Sequence, residues 1–429
     1  MRRETQAAWL GLGAAGLVAA IGIGVTQTVV AAKTGSVCNT PTTLFCDSLV
    51  KPPPEWKGKL FKLSQDYPST LPKETLPWSG IDPAWEPDKY AFAVLDYFYE
   101  GSIRQEAEQS FQTDLNTVRK WYHAPWLDAG ANGREPLQGL TRERSSRKGE
   151  LGPEQKQLWN NWAVGFYNAP GGIALGKIWA DHGKPNVSAS AMPEGTAAAK
   201  LLFTTANETE VPFLKGSPVW RAYVYEDVHL DRHSIDDKRA ILPLRLLQID
   251  FAVKDLKHSP TTGWVFGTFV YGGGKVGSQS GWRNVAPVGL MWGNDPNYSG
   301  SGELREMRIN PYVTLVHYGY QRRLNGPVDN PKSSCMSCHG TAELPQSALL
   351  PADGATPEEI ARFFVNVPSG KPFTPGAASA DYSLQVSMGI MAFNEAQVAK
   401  QQPVDKRTQF LKHLEERDEI PARDGGNFQ

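Results

Sequence analysis

The chain has 429 residues, with 44 Lys and Arg against 45 Asp and Glu, so its formal charge of −1 leaves no basic footprint for a nucleic-acid partner. An apolar fraction of 40% supports a sizeable core, and 13 Trp, 41 Gly and 32 Pro point away from a small helical bundle toward a loop-rich, aromatic-packed fold. No internal repeat or extended low-complexity tract interrupts it.

At the amino terminus, Arg2 and Arg3 precede a stretch from Thr5 to Ala32 without a charged residue. A run of about twenty apolar residues spans a bilayer, and a basic flank stays in the cytoplasm. Residues 1–34 are therefore expected to be a signal anchor, with a signal peptide cleaved near Val30-Ala31-Ala32 as the close alternative. Either way the rest of the chain lies on the periplasmic side of the inner membrane. Cys38 and Cys46 fall just beyond, where an oxidising compartment favours a disulfide between them; two unpaired buried thiols are the competing reading.

Residues 35–86 carry Pro52-Pro53-Pro54, Pro68, Pro72, Pro77 and Pro83 and are expected to be an extended Pro-rich neck. Residues 87–185 read as a helical region. Its helices start at Asp88, around Arg104 to Phe111, and over Pro153 to Tyr167, where Leu158, Trp159, Trp162 and Val164 recur at roughly helical intervals. Asn168-Ala169-Pro170-Gly171-Gly172 is expected to stop the last of these.

Residues 186–345 change period. Strands are expected over Gly195–Phe203, Val219–Tyr225, Leu244–Val253, Gly263–Tyr271, Ala286–Trp292 and Tyr312–Tyr318. Leu247, Ile249, Phe251 and Val253 alternate with Gln248, Asp250, Ala252 and Lys254, the pattern of a half-buried antiparallel strand. Tyr271-Gly272-Gly273-Gly274-Lys275 reads as a hairpin tip and not a phosphate loop, since no helix pattern follows.

Residues 346–429 form a C-terminal helical extension. Thr356 is an N-cap, with Pro357 at the first position and acids behind it. A helix over Asp381–Lys400 places Met388 and Met391 on one face, and a polar one follows over Val404–Glu416. The fold class is thus α+β: an antiparallel sheet core flanked by N-terminal and C-terminal helices, with an N-terminal transmembrane or signal helix.

The chemistry is concentrated in Cys335-Met336-Ser337-Cys338-His339. C-x-x-C-H is the covalent attachment signature of one haem c. Two thiols three positions apart each add across one porphyrin vinyl group, and the adjacent imidazole reaches the iron. Cys335 and Cys338 become thioethers and His339 the proximal axial ligand. A zinc half-site or a redox-active dithiol also uses C-x-x-C. The remaining cysteines lie almost the whole chain away, however, and the motif follows a run of turn formers, Asn325 to Pro331, where a redox pair would follow a buried strand.

The sixth iron ligand separates an electron carrier from an open haem. Met388 or Met391 is the sulfur candidate, Met388 slightly preferred, although methionines on a helix face are more often core filler. His123 and His317 are lesser distal candidates. His229, His233 and His258 read as solvated, and His182 and His413 as surface residues. Arg283 and Arg322-Arg323 are candidates to neutralise haem propionates, with solvated loop arginines an equal alternative.

The order Pro193-Glu194-Gly195-Thr196, Lys200, Val253-Lys254-Asp255, Gly263-Trp264-Val265-Phe266-Gly267 and then C-x-x-C-H resembles the sheet-built cytochromes c prime-beta, including their lysine-cross-linked relatives that oxidise hydroxylamine. The resemblance covers the central and haem-bearing portion. It implies a pentacoordinate haem on an antiparallel sheet, with histidine the only protein ligand and an open distal side. It also implies a cross-linking lysine, for which Lys200 is the candidate and Lys254 the rival. The chain departs from that family in its extra region before the sheet and in about ninety residues after the motif.

Two functions follow as expectations. The first is a membrane-tethered, periplasmic mono-haem cytochrome that passes electrons between redox partner proteins of the cell envelope, with six-coordinate low-spin iron. The second is an open-haem enzyme or sensor for a small ligand such as hydroxylamine, nitric oxide or peroxide, with high-spin iron. A weaker third makes the sheet a sugar- or protein-binding module.

Overall fold

Alternating apolar residues in the centre of the chain build an antiparallel sheet, seen here in a computed structural model. The structure describes residues 52–58, 61–103, 111–126, 140–226, 238–272, 281–313 and 318–401, all within one unit spanning Ser36–Gln429. The expected anchor over 1–34, the Cys38–Cys46 disulfide, most of the Arg104–Phe111 helix, the hairpin tip beyond Gly272, the 404–416 helix and His229, His233, His317 and His413 lie outside the described residues. Among the described residues, no helix is long and apolar enough to cross a membrane.

The strands are β1 Leu140–Ser146, β2 Trp159–Tyr167, β3 Ala197–Thr204, β4 Val219–Tyr225, β5 Arg239–Lys254, β6 Trp264–Tyr271, β7 Val285–Met291 and β8 Met307–Ile309. They lie in the order β1-β2-β3-β5-β6-β7-β8, with β4 paired to the first half of the long β5. Every neighbouring pair is antiparallel. The helices are α1 Pro87–Tyr99, α2 Ala169–Ile178, α3 Cys335–His339, α4 Pro357–Ala361 and α5 Leu384–Gln401, and a small ribbon pairs β9 Glu343–Leu344 with β10 Ala378–Ser379.

Three expectations are corrected. The helix over Pro153–Tyr167 is strand β2, so residues 87–185 contribute β1 and β2 to the sheet and are not a purely helical region. Both faces of β2 are buried, which erases the polar half of the alternation and leaves an apolar run that a helix would also show. The Asn168–Gly172 run starts a helix where a stop was expected. Asn168 caps α2 by accepting from the Gly171 amide, with Pro170 in the first turn. Tyr312 and Val313 sit in a turn with Tyr312 largely exposed, and among the described residues, which leave out 314–317, the sheet ends on the three residues of β8.

The two faces of the sheet do different things. One carries Trp162, Val164 and Phe166 from β2, Ala199, Leu201 and Phe203 from β3, and Ile249 and Phe251 from β5, packed against α1 and an aromatic cluster of Phe61, Phe98, Trp121, Trp220 and Trp282. Ring pairs such as Phe203–Trp220, 4.3 Å apart, and Phe98–Phe166, 6.1 Å, knit it together. Each fully buried ring or branched chain contributes about 1.5–3 kcal/mol, which makes this face the main stabilising core.

The opposite face is leaner. The strand register lines up Tyr167, Ala198, Ala252, Phe266 and Met291 in one row and Gly165, Lys200, Asp250, Thr268 and Gly289 in the next. Small residues and a polar stripe replace the aromatic wall. Met336 and the residues around α3 and α5 cover this side, packing with Phe266, Met291 and Tyr167.

Candidate haem attachment site

The turn formers before the motif set its geometry. Gly326 donates its amide to Asp329 Oδ2 at 2.8 Å and Asn325 Nδ2 bonds the Asn330 carbonyl at 2.7 Å, folding the chain back just before α3. Ser334 caps the helix reciprocally: its Oγ accepts from the Ser337 amide at 3.1 Å while Ser337 Oγ accepts from the Ser334 amide at 2.8 Å. Ser334 Oγ also donates to Asn294 Oδ1 at 2.9 Å, tying the helix to the turn after β7. One helical turn then brings Cys335 and Cys338 to the same side, with His339 next to the second thiol.

His339 is oriented by its environment. Its Nδ1 lies 2.9 Å from the Tyr382 carbonyl oxygen, and its ring stands 4.9 Å from the Phe266 ring. A carbonyl only accepts, so Nδ1 carries the proton and Nε2 keeps its lone pair. Burial lowers the imidazole pKa to about 4, partly opposed by the Tyr382 bond and reinforced by the Lys200 charge. The side chain is therefore neutral near pH 7, the state in which an imidazole ligates a metal, and the Nδ1–carbonyl bond is the usual second contact of such a ligand.

Cys335 and Cys338 are free and half-buried. Burial raises Cys335 well above its ordinary value, with Asp329 and Asp250 adding to the rise, and pushes Cys338 up to about 12. Redox-active dithiols use easily formed thiolates, which burial disfavours at both positions. Among the described residues, no group of three or more His, Cys, Asp and Glu could hold a metal ion. Two neutral thiols beside a neutral imidazole with a free Nε2 are suited to holding a metalloporphyrin by two thioethers and one nitrogen.

A charged cluster acts on the motif from the lean face of the sheet. Lys200 and Asp250 are cross-strand partners on β3 and β5. Lys200 Nζ lies 3.4 Å from Glu143 Oε1 and 3.9 Å from Asp250 Oδ2. Asp250 accepts from Gln248 Nε2 at 2.8 Å through both oxygens and from the Thr268 hydroxyl. Burial works against the Lys200 ammonium, but the carboxylates of Glu143, Asp250 and Asp329 outweigh it and raise its pKa. Burial and the Asp329 charge push Asp250 up to about 7. Three carboxylates share one ammonium, and the Asp250 carboxyl is held well above the ordinary carboxylate range despite it. The Lys200 charge lowers both His339 and Cys338, which puts this lysine within electrostatic reach of the motif.

Lys254, the rival lysine, is fully engaged elsewhere. Its Nζ donates to both Asp381 oxygens at 2.8 Å and to Ser369 Oγ at 2.6 Å, and the side chains of the pair are 3% and 1% exposed. Met388 is half-buried against the same apolar cluster as Cys335 and Cys338, and Met391 is half-buried on the same helix. His123 is fully buried, its main chain tied to Ser64 and Tyr67.

Several arginine and histidine expectations change. Arg323 is buried, where a solvated loop arginine was the alternative. Its guanidinium bonds the carbonyls of Asn294 at 2.7 Å and Asp295 at 2.9 Å and lies over the Phe364 ring at 4.6 Å. Arg283 pairs with Asp96 of α1, while Arg322 is exposed. His258, expected in solvent, has a side chain only 8% exposed, with Nδ1 2.8 Å from Asp255 Oδ2 and its ring edge-on to Tyr90. His182 is exposed, as expected of a surface histidine. Reading along the chain missed Tyr382 and Asp381, because a backbone carbonyl that orients a distant imidazole leaves no local signal.

Compared with known proteins, the chain matches no family model, no curated protein and no solved structure.

Proposed function

We propose that this chain is a periplasmic mono-haem c-type protein, attached through Cys335 and Cys338, with His339 as the axial ligand, in which a small molecule meets the haem. The observation that carries the reading is His339, held at Nδ1 by the Tyr382 carbonyl and neutral, beside two thiols that burial keeps protonated. Bound there, haem c supplies an iron that changes oxidation state by one electron and takes up small ligands. The residues do the rest. Tyr382 fixes the imidazole, and Lys200 with Glu143, Asp250 and Asp329 keeps an exchangeable proton within electrostatic reach of the motif. A plain electron carrier has little use for such a cluster, and its presence favours the open-haem alternative. Lys200 is the cross-linking candidate under this reading, since Lys254 is already committed to Asp381.

The second reading, electron transfer between redox partners of the cell envelope, is favoured by one observation: Met388 packs on the same apolar cluster as the two cysteines. Both readings put the chain on the periplasmic side of the inner membrane, exported or anchored through residues 1–34, because the thioethers form there.

Maturation of the full chain in an exporting host competent for haem attachment tests the proposal. Denaturing gels are expected to show a peroxidase-active band that a Cys335→Ser, Cys338→Ser double variant lacks. Oxidised and reduced spectra are expected to be those of five-coordinate iron that binds added nitric oxide. A colourless chain refutes the haem assignment, and low-spin iron that changes on Met388→Leu substitution transfers the assignment to the carrier.

A further inference from the structure

The carbonyl that holds His339 belongs to a strained piece of backbone. Asp381 and Tyr382 are consecutive non-glycine residues in the left-handed region, with φ of 48° and 66°. Such conformations persist only where their surroundings over-determine them. Here the determinant is the Asp381 carboxylate, on which five polar contacts converge. Lys254 Nζ reaches both oxygens at 2.8 Å, the Met192 amide is at 2.8 Å, the Gly370 amide at 3.1 Å and Trp264 Nε1 at 3.2 Å. Lys254 is in turn held by Ser369 Oγ and lies 4.9 Å from the Trp264 ring.

The β5 end that carries Lys254 does not need this pair for its own pairing. The Lys254 amide bonds the Thr196 carbonyl at 2.8 Å and the Lys254 carbonyl accepts from Gly195 at 3.0 Å. What the pair fixes is the next residue along from Asp381. If the carboxylate shifts, the 381–382 kink relaxes and the Tyr382 oxygen leaves Nδ1. Tyr382 adds a second anchor through its hydroxyl, which donates to the Val367 carbonyl at 2.7 Å.

We propose that Lys254 and Asp381 are positioning residues for the axial histidine: through the kink at 381–382 they keep the Tyr382 carbonyl on His339 Nδ1 and so set the orientation and basicity of the imidazole toward haem iron. This rests on the haem reading above. Partners of this kind to a metal-bound imidazole raise its electron donation, and losing them changes metal binding by about tenfold or more.

The test uses the matured full chain and reads the haem and not turnover. Lys254→Met combined with Asp381→Asn removes both buried charges at nearly constant volume. Ser369→Ala removes only one bond to Lys254 and is the mild variant. Tyr90→Phe is the control, because it deletes the buried Tyr90–Asp255 bond of 2.8 Å without touching the kink. In the double variant the iron–histidine stretching band of the reduced protein is expected to fall in frequency. The reduction equilibrium is expected to move about tenfold toward the reduced form, 59 mV for one electron. Ser369→Ala moves both in the same direction by less, and Tyr90→Phe moves neither. Unchanged band and potential in haem-bearing double and Ser369→Ala variants overturn the proposal, as do equal shifts in Tyr90→Phe. If the double variant does not mature, Ser369→Ala against Tyr90→Phe decides. A wild-type chain without covalent haem overturns the parent reading and this one with it, an outcome separate from haem that is present but insensitive.

Discussion

Replacing Lys254 by methionine alone is expected to cost far more stability than removing both members of its ion pair. The lysine and Asp381 are 3% and 1% exposed, so the single change leaves a carboxylate in the interior without its counter-charge. Breaking a buried pair this way costs about 3–5 kcal/mol. Three donors survive, from Trp264, Gly370 and Met192, and hydrogen bonds to a charged group are worth about 1.5–3 kcal/mol each. They hold the carboxylate in place and bring the expectation to the lower end, about 3 kcal/mol. Lys254→Met with Asp381→Asn leaves no orphaned charge; the Asn oxygen can keep the Trp264 and Gly370 donors while its amide faces the Met192 amide, so the change is expected to cost about 1 kcal/mol, the lower end for one unsatisfied buried donor. The single variant is then expected to be the less stable of the two by about 2 kcal/mol. Denaturant unfolding of the full chain measures it, as a fall in midpoint at constant slope. If the single variant is no less stable than the double, the pair is not coupled through burial and the reasoning fails.

Three further outcomes are expected. Asp250 has its folded pKa raised to about 7 against about 3.9 unfolded, so the folded state binds the extra proton. The stability this contributes is complete below pH 4 and lost as pH rises through about 7. The shift, which already includes the lowering by the Lys200 ammonium, caps the loss at about 4 kcal/mol, and an Asp250→Asn variant should show a flatter stability profile between pH 4 and 7; an unchanged slope contradicts the assignment. Met388→Leu is expected to leave the haem spectrum as it was and to cost under about 1.5 kcal/mol by thermal unfolding, whereas loss of low-spin character would make Met388 a ligand. Gly289→Ala should destabilise by about 1–3 kcal/mol, because the new Cβ meets the Arg308 carbonyl and lies 3.1 Å from Ile309 Cα; a stability unchanged from the parent would mean that β8 gives way freely.

The central strands were legible because their alternation has a simple cause: Leu247, Ile249, Phe251 and Val253 face an aromatic core, and Gln248, Asp250 and Lys254 face a polar side. Val219–Tyr225 was read with its boundaries correct, and Thr356 was recognised as a cap because its hydroxyl and the Glu359 side chain satisfy each other's amides. Strand β2 was not legible, since a strand buried on both faces has no polar half to count. Lys200 is singled out only by the resemblance to the sheet-built cytochromes, and the strand register then places it opposite Asp250. The partner of Lys254, Asp381, is 127 residues away along the chain. Such a pairing is invisible to any local pattern. His258 was misread for the same reason, because the residues that enclose it are Asp255 and the distant Tyr90.

The row from Gly165 to Gly289 is complete before Cys335 in the sequence, and the segment carrying Tyr382 and α5 comes after it. Chain order therefore sets the order in which these pieces emerge during synthesis, amino end first. The seat forms, the tether arrives, and the closing piece comes last. Under the proposed function, covalent loading at Cys335 and Cys338 would come before the segment that carries Tyr382 closes over them.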